Sequence, residues 1–186
     1  MAYKRRKHDA YFTEARAVKT LASHIDLPIA VWDPAAGNGG IVHPLRRLGV
    51  IYTFRSDIKK YPGCKLDWQV DFTTMQCPRF NAPPIGIVSN PPYSHPLCER
   101  FIERALSFLE QPTHIVMVAM LLRSEYSHAP TFSYLFQKNY AARLDLTERI
   151  RWIAGTTERP RHNHSWFIWR RDHKGPAEHI IQRRAA

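Results

Sequence analysis

The stretch that decides the fold is IAVWDPAAGNGG, residues 29–40. Its first half is an apolar run typical of a buried strand, and its second half is a glycine turn that opens a helical pattern. Glycine tolerates positive φ and lets the backbone approach another group closely. Turns at the carboxyl ends of strands are where open α/β sheets bind ligands. The stretch therefore predicts an α/β domain with a ligand site after its first strand.

Outward from this turn, strands alternate with helical patterns. The predicted helices cover 14–25, 41–49, 96–110 and 131–140. After the strand at 29–33, the predicted strands cover 50–58, 64–72, 85–90, 113–121, 149–155 and 164–170. No helix separates the last two strands, so we expect them to pair antiparallel. The pattern predicts a three-layer α/β fold with a mostly parallel seven-stranded sheet and an antiparallel C-terminal hairpin.

Residues 1–186 are expected to form one domain, with 1–10 as a flexible basic arm and 172–186 as a flexible basic tail. The longest apolar run, 114–122, is too short to cross a bilayer, and no apolar segment follows the basic start as in a secretory signal. The three cysteines lie far apart and form no C-x-x-C pair. This cysteine usage favours a reducing cytoplasm and disfavours zinc and disulfide frameworks.

The formal net charge of +11 is the strongest feature of the composition. Basic residues gather at 4–7, 158–164, 170–174 and 183–184. Such an excess attracts polyanions, so a nucleic-acid partner is favoured over a merely solvated basic surface. The His162/His164 pair has no acid or cysteine at metal-ligand spacing, so no metal site is expected.

Two further strand ends carry acids. Asp57 lies 20 residues after Gly37 and is suitably placed to accept hydrogen bonds from ribose hydroxyls, although a solvated turn residue is the alternative. Asp71 and Phe72, at the end of the third predicted strand, offer a carboxylate acceptor beside an aromatic face, as an adenine ring requires. The three strand ends together predict a site for an adenosine-type cofactor.

A rigid corner, SNPPYSH (89–95), follows the buried run IGIVS. Its two prolines fix the backbone and remove amide donors, so the segment cannot continue a central strand. An exocyclic amino group is a poor nucleophile because its lone pair is delocalised into the ring. The Asn90 side-chain oxygen and the Pro91 carbonyl are two acceptors for the amino hydrogens, and Tyr93 offers a stacking face. The corner predicts a site that activates the amino group of a planar base.

In this order, DPAAGNGG, Asp57, DF (71–72) and NPPY (90–93) resemble motifs I to IV of S-adenosylmethionine-dependent amino-methyltransferases, especially adenine-N6 DNA methyltransferases. YFTEARAVKTLA (11–22) resembles the start of their motif X helix, with Glu14 where those enzymes often have proline. ERPRHNHSWFIWRR (158–171) is similar to the late hairpin of small phage and prophage adenine methyltransferases. The resemblance spans most of the chain and implies a Rossmann-like class I methyltransferase fold.

The resemblance also implies S-adenosylmethionine as cofactor and a role for each matching residue. Implied cofactor-binding residues are Phe12, Thr13, Asp33, Ala35, Gly37, Asp57, Asp71, Phe72 and Asn90. Implied catalytic residues are Asn90, Pro91, Pro92 and Tyr93. Candidate nucleic-acid contacts, from the two stretches 123–133 and 155–163 and just beyond, are Arg123, Arg159, Arg161 and His164. No segment is long enough for the separate target-recognition region that such enzymes usually carry, so specificity is expected to be short, relaxed, or supplied by a homodimer or a partner subunit.

The NPPY tetrapeptide alone leaves several substrates open. Similar enzymes methylate adenine N6 or guanine N2 in RNA, or the amide of a protein glutamine. The basic charge favours a nucleic-acid substrate. The amino-acid sequences of the glycine turn and of the late hairpin favour DNA over RNA. A non-catalytic nucleic-acid-binding module is a further alternative. An NAD-dependent oxidoreductase would use the glycine turn but leaves NPPY and the charge unexplained.

Overall fold

One sheet of eight strands organises the part of the chain that the structure describes. The computed structural model describes residues 12–151 and 162–182. The strands are β1 (Ala30–Asp33), β2 (Tyr52–Asp57), β3 (Trp68–Gln69), β4 (Ile85–Ser89), β5 (Ile115–Arg123), β6 (Tyr140–Asp145), β7 (His164–Arg170) and β8 (Glu178–Ile181). The helices are α1 (Ala15–His24), α2 (Val42–Arg47) and α3 (Leu97–Glu110), with two short 3-10 helices at Ser124–His128 and Pro130–Phe136. No helix among the described residues is long and apolar enough to cross a membrane.

The strand order is β3-β2-β1-β4-β5-β7-β6-β8. Strands β1 to β5 are parallel, β7 is antiparallel to both of its neighbours, and β8 is parallel to β6. All strands except β7 therefore end at one edge, which we call the carboxyl edge, and β7 begins there. The chain order reverses between β1 and β4, and ligands bind outside such a reversal in open α/β sheets.

Apolar side chains cover both faces of the sheet, because successive residues of a strand point to opposite sides. Trp32 and Ile87 pack with α3 on one face, whereas Val31 and Val88 pack with α1 and α2 on the other. The Trp32 indole is fully buried and donates a hydrogen bond to Ser56 Oγ (3.0 Å). Strands buried on both faces read as continuous apolar runs, which is why they were visible in the sequence.

The predicted three-layer α/β fold is confirmed, but the sheet has eight strands instead of the predicted seven. The additional strand, β8, lies within the stretch 172–186 that was predicted to be a flexible tail. Its residues pair with β6 in the register Ala142↔Glu178 to Asp145↔Ile181. Four residues with two charged or polar positions give too weak a strand pattern to be recognised. The predicted basic arm, 1–10, lies outside the described residues.

The antiparallel C-terminal pair is present, but its first strand was placed wrongly. β7 begins at His164 as predicted, whereas its partner is β6 (Tyr140–Asp145) and not residues 149–155. Of the predicted strand, Ile150 is buried without strand pairing, and residues 152–161 lie outside the described residues. The predicted helix over 131–140 is a 3-10 helix at Pro130–Phe136 and the first residue of β6.

Candidate active site

The glycine turn after β1 lies against the segment that precedes α1. Gly37 has φ +52°, and a Cβ atom there would lie 3.2 Å from the Phe12 ring. A Cβ atom on Gly40 would lie 2.7 Å from the Thr13 carbonyl oxygen. Both glycines are thus required by close approach of the chain itself. Phe12 and Thr13, predicted from the resemblance to shape the pocket beside this turn, do lie next to it.

Asp33, at the end of β1, joins the glycine turn to the rigid corner. Its Oδ1 accepts hydrogen bonds from Ser89 Oγ (2.8 Å) and from the Ala35 amide (3.1 Å). Asp33 is 1% exposed, and this burial raises the pKa of its carboxyl to about 7. A side chain so buried offers almost no surface to a cofactor. The predicted direct contact is therefore replaced by an indirect role, in which Asp33 holds Ala35 and Ser89 in place.

Asp57, at the end of β2, faces the same turn. Its Oδ2 accepts the Gly37 amide (2.9 Å) and its Oδ1 accepts the Lys59 amide (3.0 Å). Burial raises the pKa of this carboxyl, against the effect of these amide donors. Each carboxylate oxygen has a second lone pair, so Asp57 retains acceptor capacity for a ligand. The neighbouring Ile58 is 60% exposed, an apolar side chain at the carboxyl edge that the sequence reading did not single out.

Asp71 and Phe72 have different environments. Asp71 is exposed, and its Oδ1 accepts the Thr73 amide (2.9 Å) and the Thr73 hydroxyl (2.7 Å). Phe72 is 3% exposed and packs against Trp32 and Phe101, with ring centroids 5.3 and 4.4 Å apart. Most of the Phe72 ring surface is therefore used by the hydrophobic core, and its packing on a cofactor ring stays a prediction.

The NPPY corner begins directly after β4. Pro91 is buried, and Asn90 and Pro92 are partly buried. The Tyr93 hydroxyl donates to the Leu121 carbonyl oxygen (2.9 Å), which fixes the ring against the end of β5. The ring stacks on His164 with centroids 5.9 Å apart and an angle of 24° between planes. The corner and the end of β5 are therefore tied into one unit.

Arg123 and His164 are cross-strand partners on β5 and β7 beside Tyr93. The Arg123 guanidinium carbon lies 5.9 Å from the Tyr93 ring centroid. His164 is 3% exposed, and burial together with the Arg123 charge lowers its pKa to about 4. His164 is thus neutral at neutral pH, and its buried ring backs Tyr93, so its contact with nucleic acid stays a prediction. Partly exposed Arg123 remains a candidate.

The other predicted nucleic-acid contacts, Arg159 and Arg161, lie outside the described residues. Within the ranges 12–151 and 162–182, no group of three or more histidine, cysteine or acidic residues could hold a metal ion. The three cysteines are free thiols, and Cys98 is buried.

Two site residues had weak signals in the sequence. Ser89 directly precedes NPPY but looked like the last residue of an apolar strand. Ile58 directly follows Asp57 but looked like part of the second strand. In the structure, Ser89 is distinguished by its hydrogen bond to Asp33 and Ile58 by its exposure.

Comparison with known proteins supports the architecture. No protein-family model matches the chain, and no curated protein matches it in sequence. Among solved structures, it is similar to a proposed class I S-adenosylmethionine-dependent methyltransferase from Listeria monocytogenes, with TM-score 0.53 and 15% identity over 90% of this chain and 61% of that one. It thus spans less than two thirds of that protein. The fold is that of the class I methyltransferases.

Two other similar structures belong to proteins that are named for different activities. One is a proposed RNA methyltransferase from Pyrococcus horikoshii, with TM-score 0.55 and 14% identity over 84% of this chain and 81% of that one. The other is the type IIG restriction endonuclease BpuSI, with TM-score 0.53 and 12% identity over 85% of this chain and 24% of that one. At these identities the likeness concerns the fold alone.

Proposed function

We propose that this chain transfers a methyl group from S-adenosylmethionine to the N6 amino group of adenine in DNA. The observation that carries the proposal is the junction at Asp33. Its carboxylate holds Ala35 of the glycine turn and also Ser89, the residue before Asn90. A cofactor turn and a pair of amino-group acceptors are therefore held together across the adjacent strands β1 and β4.

The residues around the glycine turn fit such a cofactor. Asn38 Oδ1 is buried and accepts no hydrogen bond from the described residues, so it would accept from the cofactor's ammonium group. Asp57 would accept from the ribose hydroxyls, and exposed Ile58, in place of Phe72, would contact the adenine ring. Exposed Asp71 would accept from the adenine amino group. When bound, the cofactor supplies an electrophilic methyl group on a sulfonium ion.

The corner supplies the second half of the reaction. The Asn90 side-chain oxygen and the Pro91 carbonyl would accept the two amino hydrogens of the target base, which draws the nitrogen lone pair out of the ring. The cofactor would supply the methyl group to this nitrogen, while Asn90 and Pro91 would hold the amino group in place as one of its protons leaves for solvent. Acceptors fixed in advance stabilise the positive charge that develops on this nitrogen.

Tyr93 is proposed to stack on an adenine extruded from the duplex, since a paired amino group cannot reach the methyl donor. Tyr93→Phe removes one hydrogen bond to the Leu121 carbonyl and should cost about 1 kcal/mol of unfolding free energy, with most activity kept. Tyr93→Ala should lose most activity, and a mismatch opposite the target adenine should partly restore it by lowering the extrusion cost. Initial rates on matched and mismatched duplexes, with melting temperatures, check this. If the mismatch restores nothing and Tyr93→Ala mainly lowers the melting temperature, the ring serves only packing.

Because the pKa of buried Asp33 is raised, we expect cofactor affinity to depend on pH. Its folded pKa of about 7 lies above the ordinary 3.8, so the folded protein holds this proton more tightly than the unfolded chain does. Stability from this group is therefore present below pH ~4 and is lost as pH rises towards 7. A cationic cofactor stabilises the charged form of Asp33, so its binding should lower the pKa of Asp33 and release a proton. Cofactor affinity should therefore increase as pH rises, in total about tenfold for each unit by which the cofactor lowers this pKa. Calorimetry in buffers of different ionisation enthalpy measures the proton. In Asp33→Asn the release should vanish; an unchanged release would assign it to another group.

The net charge of +11 supports a nucleic-acid substrate, and partly exposed Arg123 lies beside the proposed base site.

The experiment that tests the substrate class is transfer of a tritiated methyl group to duplex DNA, structured RNA and protein in parallel. We expect label in DNA. Label in RNA alone would favour the alternative of adenine-N6 or guanine-N2 methylation in RNA, and label in protein alone would favour a glutamine substrate. Sedimentation with and without DNA would show whether a second copy contributes to specificity.

A further inference from the structure

The segment after β2, residues 58–63, folds back over the glycine turn; we call it the flap. At its start, the Lys59 amide donates to Asp57 Oδ1 (3.0 Å). At its end, His43 Nε2 on α2 lies 3.0 Å from the Gly63 carbonyl oxygen, which accepts its hydrogen. Gly63 has φ +88°, a conformation that other residues rarely adopt. The flap is thus fastened at both ends to the elements that form the proposed cofactor site.

Gly39 makes the second fastening achievable. Its φ is +86°, and a Cβ atom there would lie 2.2 Å from His43 Nε2. Because Gly39 has no side chain, the His43 ring can occupy this space and reach Gly63. This glycine of the motif is explained by the position of the flap.

Tyr61 is the aromatic residue of the flap. Its ring meets Phe12 edge to face, with centroids 5.7 Å apart and an angle of 84°. Phe12 in turn lies against Gly37. Partial burial and the nearby Asp57 carboxylate both raise the pKa of the Tyr61 hydroxyl. Lys59 Nζ lies 5.5 Å from the ring centroid, and the side chain is only partly buried, so ring surface remains for a ligand.

We propose that Tyr61 is a further cofactor-contacting residue, whose ring covers the ribose of an adenosine-type cofactor held at Asp57. The inference rests on the proposed function and adds the flap to the site. Asp57 keeps acceptor capacity beyond the backbone amides that it already binds, and would accept from a ribose hydroxyl. The ring of Tyr61 would supply apolar cover for the sugar on the solvent side. A ligand at this position would contact both the flap and the glycine turn, and would keep the flap packed against the turn.

The test is calorimetric titration of S-adenosylmethionine into wild-type protein and variants. Tyr61→Ala should weaken binding about tenfold, equivalent to about 1.4 kcal/mol, and Tyr61→Phe should stay within about threefold of wild type because the ring remains. Tyr52→Ala is the matched control: Tyr52 is 46% exposed at the opposite end of β2 and should bind as wild type. His43→Ala, which releases the far end of the flap, should weaken binding without touching Tyr61.

Limited digestion with trypsin gives an independent readout, because Lys59 and Lys60 lie on the flap. Saturating S-adenosylmethionine should slow cleavage after these lysines about tenfold in wild type, and much less in Tyr61→Ala. Equal affinities in wild type and Tyr61→Ala, with no protection of Lys59 and Lys60, would overturn the inference. A wild-type protein that binds no S-adenosylmethionine at all would instead contradict the proposed function.

Discussion

Asn90→Ala should lower methyl transfer at least about 100-fold while S-adenosylmethionine affinity stays near that of wild type. The loss of one acceptor fixed in advance towards developing charge costs about 3 kcal/mol of transition-state stabilisation. Cofactor affinity should change little, because Asp57, Asn38 and Ile58 are proposed to supply most of it. Single-turnover rates with labelled cofactor measure the first quantity and calorimetry the second.

Two variants make this result specific. Asn81→Ala removes an exposed asparagine before the opposite end of β4 and should keep wild-type rates. Asn90→Asp keeps acceptor oxygens at the corner and should retain more activity than Asn90→Ala. If Asn90→Ala turns over at a near-normal rate, the NPPY corner does not hold the amino group.

Phe72→Ala should cost about 3–5 kcal/mol of unfolding free energy, as is usual for a buried phenylalanine that leaves a cavity. Its ring is 3% exposed and contacts Trp32 and Phe101 in the core. Any loss of cofactor binding should therefore follow the loss of folded protein. Chemical denaturation, analysed with the same dependence of free energy on denaturant concentration for each variant, measures the free energy of unfolding. Phe72→Leu keeps most of the side-chain volume and should recover much of the lost stability.

Ile58→Ala is the matched comparison. Ile58 is 60% exposed, so its loss should leave the melting temperature nearly unchanged and weaken S-adenosylmethionine binding severalfold. If Phe72→Ala is instead fully stable and loses cofactor affinity, while Ile58→Ala binds normally, the two residues have the opposite roles.

The sequence predicted those parts of the fold that local patterns determine. The glycine turn, α1 and α3 were recognisable because buried strands and amphipathic helices repeat over several residues. β6 and β8 were not, because β8 is a short strand at the sheet edge and β6 lies between it and β7, so both depend on pairing with distant parts of the chain. Tyr140–Asp145 and Glu178–Ile181 gain their strand conformation from β7 and from each other.

The site was predictable in position but not in contacts. Parallel strands bring Asp33, Asp57 and Asn90 to one edge, and the order of motifs in the sequence shows this. Which side chain faces the core was not readable from the sequence, so Phe72 was assigned a ligand role although its ring packs in the core. The stack of Tyr93 on His164 joins residues 71 positions apart (93 and 164) and exists only after β7 inserts beside β5.

The central claim is that the carboxyl edge of β1, β2 and β4 methylates an exocyclic amino group. The most direct measurement is nucleoside mass spectrometry of duplex DNA incubated with the protein and isotopically labelled S-adenosylmethionine. The account predicts labelled N6-methyladenine that depends on Asn90. Label on C5 of cytosine, which is a ring carbon and not an exocyclic amino nitrogen, would contradict it, as would cofactor binding without any methylated nucleoside in DNA or RNA.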